Sequence, residues 1–231
     1  MTVGAEPQKR PRTASREVRR RQLIEATIAS IAENGLTGTT MASVTGRADL
    51  AMGSVSFHFR SKDNLLRETL AYLAEEHRAR WAENLADSGL DPAARLAAVM
   101  DAHFAPEICN ETRIAVWYAF FGEARYREIY REMAAAFDEE RTETVAALCR
   151  ALADEAAPGM VPEEVADTLE CLADGLWLAI MLYPGWFGRD AAKRRIHAYL
   201  AGVFPCAFAT WPGVPAGGGA ATAQCSTWRP I

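Results

Sequence analysis

The sequence predicts an all-α protein: an N-terminal three-helix unit built around a helix-turn-helix, followed by a larger helical domain. Three observations carry this. Apolar residues recur at three- and four-residue spacing, as at Leu23, Ile24, Ile28 and Ile31 and again at Leu65, Leu66, Leu70, Leu73 and Trp81. Two short periodic stretches, one marked by Met41, Val44 and Ala48 and one by Leu50, Val55 and Phe59, are separated only by Arg47-Ala48-Asp49-Leu50, the short connection that such a motif uses. The charge is also divided: through Arg67 eleven Lys and Arg oppose six Asp and Glu, whereas the remainder carries fourteen against twenty-four. A basic end on an acidic body of net charge −5 suits a protein that offers a polyanion one face only.

Residues 1–14, with Pro7, Pro11, Lys9, Arg10 and Arg12, read as a flexible basic arm, either a solvated tail or a phosphate and minor-groove contact. A helix is expected from about Ser15 to Asn34, with Arg19-Arg20-Arg21 at its exposed start and Gly35 at its C-terminal stop. Thr40 is placed to cap the next short helix, and Ser61 to cap a long helix over about 62–86 that runs from the first unit into the body. Between them, Val55 and Phe59 face inward, leaving Met52, Gly53, Ser54, Ser56, Phe57 and His58 outward.

Asp91-Pro92 spells an N-cap and first-turn proline for a helix over about 92–104. Asn110 caps the next, which carries Trp117, Phe120 and Phe121 at i, i+3 and i+4 with Tyr118 beside them. A helix over about 125–155 turns Ile129, Met133, Phe137, Val145, Leu148 and Leu152 inward and stops at Pro158-Gly159. Two more, about 162–183 and 190–204, flank Pro184-Gly185-Trp186-Phe187-Gly188. The stretch from Leu172 to Leu182 is apolar nearly all round, which requires burial on more than one side. From Pro205 onward, repeated Pro and Gly predict a disordered tail, 205–231.

The stretch A-D-L-A-M-G-S-V-S-F-H-F, residues 48–59, with S-K-D-N-L-L, residues 61–66, resembles the DNA-binding signature of TetR-family regulators. Ala48, Gly53, Val55, Ser56, His58, Phe59, Lys62 and Leu65 match it. The resemblance implies a DNA-binding domain over 15–61, a ligand-binding and dimerisation domain over 62–204, and a homodimer on a near-palindromic double-stranded operator. It further implies DNA contacts at Thr40, Met52, Gly53, Ser54, Ser56, Phe57, His58 and Lys62. Three positions depart from the family pattern. Asp49 replaces a turn glycine at a cost of about 1 kcal/mol, Ala51 forfeits a helix cap worth about 1 kcal/mol, and Met52 replaces a polar contact with an apolar one suited to a thymine methyl.

The segments A-V-W-Y-A-F-F-G, residues 115–122, and A-D-G-L-W-L, residues 173–178, are similar to the choline-responsive BetI-type branch, as is Ser56. A quaternary ammonium offers no N–H, so aromatic faces and a carboxylate must recognise it. Candidate cage residues are Trp117, Tyr118, Phe121 and Trp177, with Glu123 or Asp174 supplying charge; the alternative is that these aromatics are ordinary core. Asp174, in an apolar stretch, reads as a buried carboxylate in need of a partner. A broad pocket for lipophilic cations or drugs also remains open.

An all-helical enzyme is the competing class. His77, His103 and His197 form no H-E-x-x-H spacing, and G-x-S-x-G and a phosphate loop are both missing. Five cysteines without a C-x-x-C pair suggest neither zinc nor redox chemistry and fit a reducing, cytoplasmic setting, so no cofactor or metal is expected. No apolar run approaches the ~20 residues of a membrane span.

Overall fold

A computed structural model describes residues 16–86, 89–157 and 159–208. The helices among them are α1 (Arg16–Gly38), α2 (Met41–Arg47), α3 (Met52–Phe59), α4 (Lys62–Leu85), α5 (Pro92–Ala102), α6 (Glu111–Ala124), α7 (Glu128–Ala151), α8 (Pro162–Leu182) and α9 (Arg189–Val203). The expected arm at 1–14, Ser15, Pro158 and the tail from 209 lie outside the described residues. The stretch 205–208 does not behave as a tail: Phe208 is fully buried against Phe204, their ring centroids 6.5 Å apart. An aromatic side chain there outweighs the proline that suggested disorder.

Caps set most helix starts where the sequence placed them. The Ser61, Asp91 and Asn110 side chains accept from the backbone N–H of Asn64, Ala94 and Arg113, each satisfying one otherwise orphaned donor. Gly35 adopts φ 69°, breaking α1 so that Leu36 turns back into the core. Both ends of α7 move inward from the expected 125–155: it begins at Glu128, because the N–H groups of Tyr126 and Arg127 both return to the Glu123 carbonyl and close off α6, and it stops at Ala151 before a 3-10 turn at Ala153–Glu155.

α1 to α3 enclose a small core of Leu23, Ile28, Ile31, Val44, Val55 and Phe59, each at most 2% exposed. α4 supplies its floor through Leu65, Leu66 and Leu70, then continues into the body, where Leu73, Ala74, His77 and Trp81 are buried among α5 to α8. α6 packs on α1 as well as on α7 and α8. The first unit is thus held to the body by both α4 and α6.

Thr40 and Ser43 form a reciprocal cap at α2, with the Ser43 N–H donating to Thr40 Oγ1 and the Thr40 N–H to Ser43 Oγ, each 3.0 Å. Ala51 begins α3 with no side-chain cap. In urea denaturation with unchanged slope, Thr40→Ala should therefore lower stability by about 1 kcal/mol and Ala51→Ser should raise it by a similar amount.

Candidate functional site

Two sites emerge, an outward face on α2 and α3 and an aromatic and polar cluster inside the body. In α3 the inward Val55 and Phe59 are completely buried, while Met52, Gly53, Ser56 and Phe57 are exposed and Ser54 and His58 half-buried. The turn before α3 holds Asp49 at φ 50°, and Arg60 after it stands at φ 64°. Both are costly for residues with a Cβ, so both ends of this short helix carry strain. Gln22 Nε2 donates to the Ala48 carbonyl at 2.7 Å, tying α1 to that turn.

A methyl group added at Gly53 would meet no protein atom within 4 Å. Nothing inside the protein requires glycine there. Thr40 Oγ1, already accepting from Ser43, keeps its own hydrogen for an outside acceptor.

Arg16 stands over the Phe57 ring, 5.8 Å from its centroid, and α1 brings Arg19 and Arg20 to the same side. Burial first, then the charges of Arg16, Arg20 and Arg19, push the His58 imidazole below its usual value. This basic rim of α1 beside α3 was not read from the sequence, where the arginines appeared only as an exposed helix start. Lys62 sits differently from the phosphate-facing side chain that the motif implied: its ammonium donates to the Leu36 carbonyl at 2.9 Å and reaches that of Thr37 at 3.4 Å, closing the broken end of α1.

Inside the body, Trp117, Tyr118 and Phe121 of α6 meet Trp177 of α8. Trp117 lies 5.7 Å from Phe121 and 6.5 Å from Trp177 between centroids, and Tyr118 meets Phe121 edge-on at 5.8 Å. Tyr118 Oη donates to the backbone carbonyl of Asp174 at 2.6 Å, joining α6 to α8, and its hydroxyl is pushed up to about 12, by burial first and then by the Asp174 charge.

Glu123 is not part of this group. At 100° per residue it points away from Trp117 and Phe121, and it lines a cleft with Leu36, Lys62, Leu66, Arg127 and Tyr130 where the first unit meets the body. Asp174 is not buried, since α8 turns that residue toward solvent. Its carboxyl is nevertheless pushed up to about 6, by desolvation first and by Asp138 and Glu170 against the opposing effect of Arg141.

The ion pair at the heart of the body is Arg141 of α7 with Glu170 of α8. The Arg141 guanidinium donates to Glu170 Oε2 at 3.0 and 2.7 Å and contacts Asp138 at 2.9 Å. No local pattern marked it. His77 and His103 also join the cluster, against Trp177.

A second ion network links cluster and reading face. Arg113 of α6, one turn before Trp117, donates to both Glu25 carboxylate oxygens of α1 at 3.1 Å and to Glu76 of α4 at 3.2 Å. Tyr72 Oη donates to Glu25 at 2.9 Å. Burial pushes the Glu25 carboxyl up, but hydrogen bonds from Arg113 and Tyr72 and the arginine charge outweigh it and hold the group below its usual value.

Among the described residues no group of three or more His, Cys, Asp or Glu is placed to hold a metal ion, and no helix is long and apolar enough to cross a membrane.

Residues 23–69 match the model of bacterial regulatory proteins of the tetR family, and residues 92–205 match that of the BetI-type transcriptional repressor C-terminal domain. The chain is 35% identical over 190 residues to the HTH-type transcriptional regulator BetI of Burkholderia thailandensis, covering 82% of this chain and 95% of that one. It is 34% identical over 191 residues to BetI of Burkholderia cenocepacia, covering 82% and 96%. A solved structure described as a transcriptional regulator of Pseudomonas aeruginosa PAO1 superposes with TM-score 0.73 at 24% identity, covering 84% of this chain and 94% of that one. Another, a regulator from Saccharomonospora viridis in complex with choline, gives TM-score 0.71 at 18% identity, covering 80% and 96%. At those identities the likeness is one of fold.

The Arg113 network tests by charge removal. The folded state holds the Glu25 carboxyl below its usual value of 4.5, so this contribution is complete above about pH 4.5 and fades as the pH falls through the folded value. Arg113→Met should cost about 1–2 kcal/mol of unfolding free energy at pH 7 and clearly less near pH 3, read by urea denaturation.

Proposed function

The chain belongs to the TetR family of bacterial regulatory proteins and carries a BetI-type C-terminal domain, and from that premise we propose a dimeric repressor that releases its operator when a quaternary amine of the choline class enters the body. Relatives in this family are transcriptional regulators, and the same class is assigned to this chain. The observation that carries the reading is the run of α6 from Arg113 to Phe121, which holds the charge clasp on α1 and the aromatic cluster within three turns.

On the DNA side, Met52, Gly53, Ser54, Ser56, Phe57 and His58 meet the major groove. Gly53 admits the backbone to close approach, Met52 and Phe57 offer apolar contact to thymine methyls, and Thr40 and the arginines of α1 contact phosphates. Lys62 braces this face by holding α1 to α4. Two copies would bind through α8 and α9, whose outer faces expose Cys171, Gly175, Leu178 and Leu182, and Ala198 and Gly202. Small and apolar residues on one stripe let helices approach closely, and two-fold symmetry calls for a palindromic site. Binding to DNA places the protein in the cytoplasm.

On the effector side, Trp117, Tyr118, Phe121 and Trp177 take the ammonium against their ring faces, with the Asp174 carboxylate as counter-charge. The rings touch one another here, so a ligand must part them. α6 then shifts against α8, Arg113 shifts with it, and α1 and α4 tilt the reading helices out of register.

Fluorescence anisotropy on the intergenic DNA upstream of the gene should show saturable, salt-sensitive binding that choline reverses. Gly53→Ala should weaken that binding while leaving the protein as stable or up to about 1 kcal/mol more so, as expected of a helical Gly replaced by Ala. Binding untouched by choline would remove the effector; no preference over scrambled DNA would remove the reader. Because desolvation pushes the Asp174 carboxyl up to about 6, a cation bound beside it near that pH should release a proton, seen as a heat that differs between buffers of different ionisation enthalpy.

A further inference from the structure

Two histidines outside the aromatic cage lie against it. His77, from the middle of α4, and His103, the C-terminal cap of α5, are 5% and 3% exposed. Their rings meet near edge-on with centroids 4.7 Å apart. The Trp177 ring lies 5.9 Å from one and 6.2 Å from the other, and its Nε1 donates to the His103 carbonyl at 2.8 Å. Nε2 of each histidine is buried with no hydrogen-bond partner. One such orphan costs about 1–3 kcal/mol, and two side by side are not what apolar packing alone would retain.

The charged surroundings are specific. Arg141 of α7 acts on both rings through its charge, its guanidinium committed to Glu170 of α8 and to Asp138. Burial above all, reinforced for His77 by His103 and for both by Arg141, holds the two imidazoles well below the usual histidine range. Both are neutral at physiological pH, so each ring has one donating and one accepting nitrogen.

A hydroxyl both donates and accepts, and it therefore satisfies either tautomer of either ring. A tetraalkylammonium offers neither bond. A carboxylate only accepts, so it answers a donating nitrogen but not an accepting one. Trp177 touches both histidines and Trp117, so the two groups adjoin.

We propose that His77 and His103 form the polar end of the effector site and bind a hydroxyl on the same molecule whose quaternary nitrogen rests against Trp117 and Trp177. The two histidines thereby select a hydroxylated cation over one that carries no hydroxyl. This rests on reading the aromatic cluster as a cation site.

The test is calorimetric titration of the full-length protein with choline, tetramethylammonium and glycine betaine. Wild type should bind choline about tenfold or more tighter than tetramethylammonium or glycine betaine, neither of which carries a hydroxyl. His77→Leu and His103→Leu should bring choline down to the level of tetramethylammonium without changing the latter, and His77→Gln, which keeps a donor and an acceptor, should retain part of the preference. Equal wild-type affinity for choline and tetramethylammonium overturns the proposal while the cation site stands, and this comparison needs no variant. Loss of both cations alike in folded variants also overturns it. Wild type that binds neither removes the cation site and this proposal together.

Discussion

The structure depends on one buried stripe. α4 gives Leu65, Leu66 and Leu70 to the core behind the reading helix and Leu73, Ala74, His77 and Trp81 to the core of the body. An α-helix is stiff over this length, so neither core can shift at one end of α4 without straining the other. Arg113 adds a second tie. It pins α1 to α4 from α6 with a largely desolvated guanidinium, and withdrawing it would leave two carboxylates facing each other. A ligand that moves α6 thus acts on the reading face through two rigid connections, and a small displacement inside the body becomes a rotation outside it.

The reading helix itself is held lightly. Its start lacks a side-chain cap, and residues at both ends adopt positive φ without being glycine. Val55 and Phe59 retain it chiefly by burial. Such a segment gains from contact with a partner surface, since contacts at its outer face can offset strain that its own bonds do not. Phe57 and Met52, large apolar side chains left in water, have the same character.

What the sequence revealed divides along a physical line. Local features were legible: the caps at Thr40, Ser61, Asp91 and Asn110, the break at Gly35 and the inward pair Val55 and Phe59 each depend on residues within one or two turns. The gathering of Trp117, Tyr118, Phe121 and Trp177 was legible only through resemblance, because two helices supply it. Arg113 with Glu25, Arg141 with Glu170 and His77 with His103 were not legible, since each pair comes from helices that meet only in the tertiary fold. Glu123 and Asp174 went astray for a related reason. An acidic residue near an aromatic run has no direction until its place around the helix is known: Glu123 faces a separate cleft, and Asp174 is exposed rather than buried.

In the proposed switch, effector and operator compete through one shared framework. Thermodynamic reciprocity makes this measurable from the ligand side. Choline should be titrated by calorimetry into the free protein and into the protein saturated with operator DNA at the same salt. At least a fivefold weaker affinity is expected in the DNA complex; equal affinities in the two forms would contradict the competition.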